Sequence, residues 1–239
     1  MNSLATNTRR RSKQFVLSVA LVLSTVLSAA RTSSAQQLRR GVSVVMAVSR
    51  NAAPMPEADD ENAWIVTVIR DGTLYFGSDR VTAAGLEEGM KSRPRNREQK
   101  FYIKADARTP FANVERVLEA GRSAFFETPI LLTSQPESAT PGTIVPPKGL
   151  EVLVSPPPSG SASAVVQVLN SGKQWPTLKI NDVDVPWATL QAALTQLLQN
   201  RSEKVVLVKA DGLLPFSDVV HVIDMCRSTE ANVVLVSPR

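Results

Sequence analysis

The side chains able to do chemistry are few in this chain. His221 is the only histidine and Cys226 the only cysteine, so a Ser-His-Asp or Cys-His arrangement has a single imidazole around which to form. His221 lies three residues from both Asp218 and Asp224, and the plain expectation is a helix-surface imidazole paired with one of these carboxylates. A metal centre needs three or four converging ligands, and acids with one His and one Cys on neighbouring turns do not supply them. One cysteine excludes an intramolecular disulfide, and its place on an apolar helix face predicts an inert thiol. No Gly-rich phosphate loop follows a strand. The reading assigns no catalytic, cofactor-binding or metal-ligating residue, and the chain is not expected to be an enzyme.

A second set of candidates is structural or partner-contacting: Lys104, Asp106 and Pro110, their counterparts Lys209, Asp211 and Pro215, and Trp187. Asp106 and Asp211 each end a strand ahead of a helix, where a carboxylate either accepts N–H bonds within the turn or meets a partner. Lys104 and Lys209 read as solvated. Trp64, Trp175 and Trp187 read as core or domain-edge packing, with Trp187, at the start of a helix, the best placed of the three for a partner contact.

These candidates come in pairs because the sequence repeats. Residues 104–123 and 209–228 align without a gap at an offset of 105, with nine of 20 positions identical, among them Lys-Ala-Asp, Pro-Phe and Arg-Ser. Such self-similarity fixes an architecture before any element is assigned. Each copy is preceded by an apolar run, Phe101–Ile103 and Val205–Val208, and followed by another, Ile130–Leu132 and Val233–Val236. Between them Phe111, Val114, Val117, Leu118 and Phe216, Val219, Val222, Ile223, Cys226 step at helical spacing. Pro110 and Pro215 suit a first helical position. Thr109 can cap the first helix, whereas Leu214 cannot cap the second, whose start is expected to fray.

Upstream, the second copy shows Val165–Leu169, the turn Asn170-Ser171-Gly172, Thr177–Asn181, and a helix with Leu190, Leu194, Leu197 and Leu198 on one face. The first shows Trp64–Ile69, the turn Arg70-Asp71-Gly72, Leu74–Phe76, and a helix near Thr82–Met90. The expected fold class is α+β: two tandem β-β-α-β-α-β domains, each a small antiparallel or mixed sheet with two helices on one face. The expected boundaries are 36–62 for an extended spacer, 63–135 for the first domain, 136–150 for a stiff Pro-rich linker and 151–239 for the second domain.

With 239 residues and 43% apolar content, the chain has enough material for two ordinary domains. Its formal charge of +5 sits at the front. Residues 1–35 hold Arg9, Arg10, Arg11, Lys13 and Arg31 and no acid, so the remainder is balanced and offers no phosphate-binding surplus. No nucleic-acid partner is expected. The basic cluster, the apolar run Phe15–Ala30 and the small residues Thr32–Ala35 have the order of a secretory signal, 1–35, cut after Ala35. The run is short for a membrane span. Retained as a signal anchor, it would leave the bulk of the chain outside the cytoplasm.

The ordered pattern Val66-Thr67-Val68, Asp71-Gly72, Tyr75-Phe76-Gly77, Val81, Leu86 and Tyr102-Ile103-Lys104-Ala105-Asp106 resembles the periplasmic domain of the ExbD/TolR family. Val166-Gln167-Val168, Gly172, Leu178–Asn181, Val185, Leu190 and Val206–Asp211 repeat it. Gly41-Val42-Ser43-Val44 is similar to the family's juxtamembrane segment. The resemblance implies a subunit or accessory of a proton-motive-force-linked transport system in a Gram-negative envelope. Its implied partners are an ExbB/TolQ-like multi-span protein and a TonB-like protein, with peptidoglycan and a second copy of the chain as further candidates. A freestanding periplasmic module binding peptidoglycan or a TonB-like protein is the alternative. One departure stands out: the family's membrane helix carries a proton-handling Asp, and residues 14–30 contain neither acid nor proline. Ser, Val and Leu cannot exchange a proton as a carboxyl does.

Overall fold

The computed structural model describes residues 42–94, 98–136, 146–154 and 164–236. The expected leader or anchor, residues 1–35, lies outside them. The first copy runs through β1 (Ala53–Pro54), a turn of 3-10 helix (Pro56–Asp59), β2 (Trp64–Val68), β3 (Leu74–Phe76), β4 (Asp79–Val81), α1 (Ala83–Ser92), β5 (Phe101–Ala105), α2 (Phe111–Ser123) and β6 (Ile130–Thr133). The β2–β3 hairpin closes on Asp71-Gly72, where Asp71 accepts the Thr73 N–H at 2.8 Å. Gly72 has φ +86, and a Cβ there would meet the Asn113 side chain of α2 at 2.6 Å. Only glycine serves both the turn and the close approach. Thr82 caps α1 by accepting the Gly85 N–H at 3.0 Å.

After β7 (Lys148–Glu151), the second copy follows as β8 (Ala164–Leu169), β9 (Thr177–Ile180), β10 (Val183–Asp184), a 3-10 turn (Trp187–Thr189), α3 (Leu190–Leu198), β11 (Val205–Ala210), α4 (Phe216–Arg227) and β12 (Asn232–Leu235). The registers repeat. Trp64 pairs with Phe101 and Ala164 with Val206, both in parallel ladders. Hairpins add antiparallel strands at one side of each, giving the orders β1-β7-β6-β5-β2-β3-β4 and β10-β9-β8-β11-β12. The expected α+β architecture, mixed sheets with paired helices, is what the chain adopts, with a short edge strand added to each copy. Leu190, Leu194 and Leu198 of α3 and Phe111, Val114, Val117 and Leu118 of α2 are buried.

Where they are described, the stretches read as spacers contribute strands to the first sheet, β1 and β7. β7, which begins in the expected linker and ends in the expected second domain, pairs with β6, its Lys148 and Gly149 also pair with β1, and beyond it Leu153 forms a parallel bridge to Val234 of β12. The segment is thus a strand of the first sheet whose continuation reaches the second, Leu153 donating to Val233 O and accepting from the Leu235 N–H, both at 2.8 Å. Period alone missed it because Lys148-Gly149 interrupts the apolar pattern. The segment before β2 packs likewise: Ala47, Ser49, Ala52, Met55 and Ala58 are buried. One buried apolar cluster joins Val66, Ile103 and Val114 of the first copy to Val166, Val208 and Val219 of the second. The copies keep separate sheets but share an interior.

Two helix glycines test the packing. A Cβ at Gly121 of α2 would lie 2.7 Å from the Phe101 ring, whereas at Gly89 of α1 the nearest atom is 3.9 Å away. Gly121→Ala should destabilise the fold by about 1–3 kcal/mol through overpacking, and Gly89→Ala should stabilise it by about 0.5–1 kcal/mol through helix propensity. Chemical denaturation reads both, and shifts of the same sign would contradict this packing.

Candidate functional site

The paired candidates converge where the copies meet. Each α2-type helix begins one residue after its proline: Pro110 and Pro215 are the N-caps, not the first helical residues, and no side chain, Thr109 included, caps the start of α2 or α4. The first amides are satisfied across the pair instead. Phe111 donates to Leu214 O at 2.8 Å and Ala112 to Gly212 O at 2.9 Å, while Phe216 donates to Thr109 O and Ser217 to Ala107 O, both at 2.9 Å. Pro110 and Pro215 form an antiparallel bridge at the centre. Residue i of one copy bonds j of the other and the reverse, the signature of a two-fold interface. Helix-start amides have no intrahelical acceptor, so the copies cap one another and Leu214 has no need to. The expected fraying of α4 is replaced by a clamped start.

The aspartates beside this junction have diverged. Asp106 is 4% exposed, and its carboxylate accepts the Arg108 N–H at 3.0 Å, its Nε at 2.9 Å and its Nη2 at 2.8 Å. The guanidinium bonds hold its pKa down at about 2. Asp211 accepts the Leu213 N–H at 2.9 Å, and Leu213 stands where the first copy has Arg108. Glu115 of α2 approaches this turn. Its Oε2 would lie 3.3 Å from a Cβ at Gly212, its Oε1 is buried without a hydrogen-bond partner, and burial, then the Asp211 charge, raises its pKa.

The lysines also part company. Lys209 is exposed as expected, but Lys104 is 7% exposed, because the segment before β2 folds over its face of the sheet. Trp187 is half-buried and donates its indole N–H to Pro176 O at 2.8 Å. Its ring lies 5.8 Å from Trp175 and 5.4 Å from His221. His221 therefore stacks on an indole. Asp224 turns elsewhere: it accepts the Arg50 N–H at 3.0 Å and the Asn51 N–H at 2.8 Å, and its carbonyl accepts from the Asn51 amide at 3.1 Å. Sequence reasoning missed this anchor, although an acid between Ile223 and Cys226 on an apolar face was its signal. The Cys226 thiol is buried and pushed up to about 12. Among the described residues no group of three or more His, Cys, Asp or Glu is placed to hold a metal.

Because the folded pKa of Asp106 is depressed, its contribution is complete above the unfolded carboxylate range and is lost as pH falls from about 4 through about 2. Arg108→Leu, which copies the second repeat, should lower stability at pH 7 only modestly, since solvent screens the half-exposed guanidinium. It should also flatten the stability loss over that pH window. Asp211→Asn should cost under about 0.5 kcal/mol, and urea titrations at pH 7 and 2.5 compare the variants.

Among the described residues no helix is long and apolar enough to cross a membrane. No curated protein matches the chain. The family described as biopolymer transport protein ExbD/TolR matches it twice, over residues 16–136 and 127–238, one match for each copy of the fold. The chain belongs to the ExbD/TolR family.

Proposed function

We propose that this protein is a subunit or accessory of a proton-motive-force-linked envelope transport system, with its bulk in the periplasm, and that it works through domain contacts without conducting protons itself. The observation that carries this reading is the double family match over a duplicated fold. The first match begins at residue 16, inside the apolar run, which supports a retained membrane anchor. That run has no acid, so proton handling would fall to a multi-span ExbB/TolQ-like partner. A non-enzymatic role fits the chemistry of the side chains: the sole imidazole stacks on Trp187 and the sole thiol is buried.

A freestanding periplasmic module is favoured by the small residues at Ser33 and Ala35, which suit signal cleavage. Fractionation with N-terminal sequencing separates the two. The main reading expects intact Met1 in the membrane fraction, co-purification with a multi-span ExbB-like protein, and no restoration of transport in a strain lacking a family member that bears the membrane Asp. A mature start at Gln36 in the soluble periplasm would overturn it in favour of the second. Restored transport would overturn the claim that the chain does not handle protons.

A further inference from the structure

The two copies offer an internal comparison, because their outer sheet faces, opposite the helices, are in the same register. In the first copy Ile65, Tyr102 and Ile130 form one cross-strand row, and Thr67 and Lys104 the next. In the second copy the same places hold Val165, Leu207 and Val234, then Gln167 and Lys209. The first face is covered. Met55 and Ala58, from the segment Pro54-Met55-Pro56-Glu57-Ala58-Asp59-Asp60, pack on Tyr102, Ile130 and Leu132. Thr67, Tyr102 and Lys104 are then 0%, 1% and 7% exposed. The cover is acidic: Glu57 meets Lys100 at 3.3 Å, and burial, with the charges of Glu57 and Asp60, pushes the Tyr102 hydroxyl up to about 12.

Among the described residues the second face has no equivalent of the Met55 and Ala58 cover, and its burial is confined to the side of Val205 and Val234, 8% and 1% exposed. Val165, Gln167 and Leu207 are half-buried, Leu169 is 37% exposed and Lys209 is exposed. The stretch between β7 and β8, Ser155–Ser163, consists of Ser, Pro, Gly and Ala, with no acid and no long apolar side chain. It cannot reproduce the chemistry of Met55 and the acids around it. Both rows carry two cations, Lys104 and Arg80 in the first copy and Lys209 and Lys179 in the second, but only the first has the acidic segment laid against its sheet. Lys179 of β9 pairs in register with Gln167 of β8, and Gln167 with Lys209 of β11, so two lysines flank one glutamine across three adjacent strands, their backbones about 10 Å apart. Acids lie only at the rim: Asp182 accepts from Gln167 at 2.6 Å, and the exposed Asp184 lies 3.6 Å from Lys179.

We infer that the outer face of the second sheet is a docking surface for an acidic, proline-flanked peptide segment of a partner protein, seated as residues 54–60 are seated on the first sheet. A Met- or Leu-sized side chain would lie on Val165 and Leu207, with carboxylates reaching Lys179 and Lys209. Apolar burial supplies the affinity and the lysines set the register. The inference builds on the reading of the chain as a contact-making envelope subunit. The two are separable, since peptide binding can fail while co-purification with a multi-span protein holds.

The test uses the full chain in detergent and a fluorescent synthetic peptide of residues 52–62 as probe, followed by polarisation. Saturable binding is expected, weakened roughly tenfold or more by Lys209→Glu with Lys179→Glu. These sites are surface positions, so circular dichroism should stay unchanged. Lys100→Glu, on the first copy, should leave binding within about twofold. A peptide with its acids changed to amides should bind roughly tenfold more weakly. Absence of saturable binding up to about 1 mM, or binding indifferent to the lysine reversals, would overturn the inference. Self-association of the chain abolished by Lys209→Glu, or vesicle binding abolished by it, would overturn it in favour of a second copy or a lipid surface.

Discussion

Four backbone amides at two helix starts constrain everything else in this protein. A helix cannot bury its first N–H groups without acceptors, and here Phe111, Ala112, Phe216 and Ser217 find theirs only in the turn of the opposite copy. Each bond is worth about 0.5–1.5 kcal/mol net, and an unmade one costs more because the donor stays buried. Neither strand-helix turn is complete alone. From that follow the shared apolar interior, the Leu153 bridge from one sheet to the other, and the pairing of Pro110 with Pro215 at the junction.

The duplication also explains what each copy is free to change. With the junction held by main-chain groups, side chains around it can diverge without breaking it: Arg108 shields Asp106 in one turn, while Leu213 leaves Asp211 to its own backbone partner in the other. The outer faces diverge in the same way: among the described residues one carries the chain's own acidic segment and the other exposes Lys209 and Leu169. Fusing two copies ties the contacts of one surface within the chain.

Much of this was legible in the residues. The repeated Lys-Ala-Asp and Pro-Phe, with apolar runs on either side, gave the element order, and Leu190, Leu194 and Leu198 gave a helix face that the fold buries. What escaped were interactions between segments distant in sequence. Leu214 looked like a missing cap because its replacement is a carbonyl bond across the copies. Lys104 looked solvated because Met55 and Ala58, which cover its sheet face, lie in a proline-rich acidic stretch with no strand or helix period. Asp224 looked like a partner for His221, whereas it holds the amides of Arg50 and Asn51. Periodicity reports which face of an element is apolar and is silent on which main-chain groups lack an acceptor.

The central claim is that the two copies fold as one body through reciprocal helix-start bonds. Native-state hydrogen exchange of the amides of Phe111, Ala112, Phe216 and Ser217 tests it most directly. The account predicts that all four exchange only with global unfolding, at one common free energy that falls for all of them when either copy is destabilised. Two separate free energies, with the Phe216 and Ser217 amides opening while those of Phe111 and Ala112 stay protected, would contradict it.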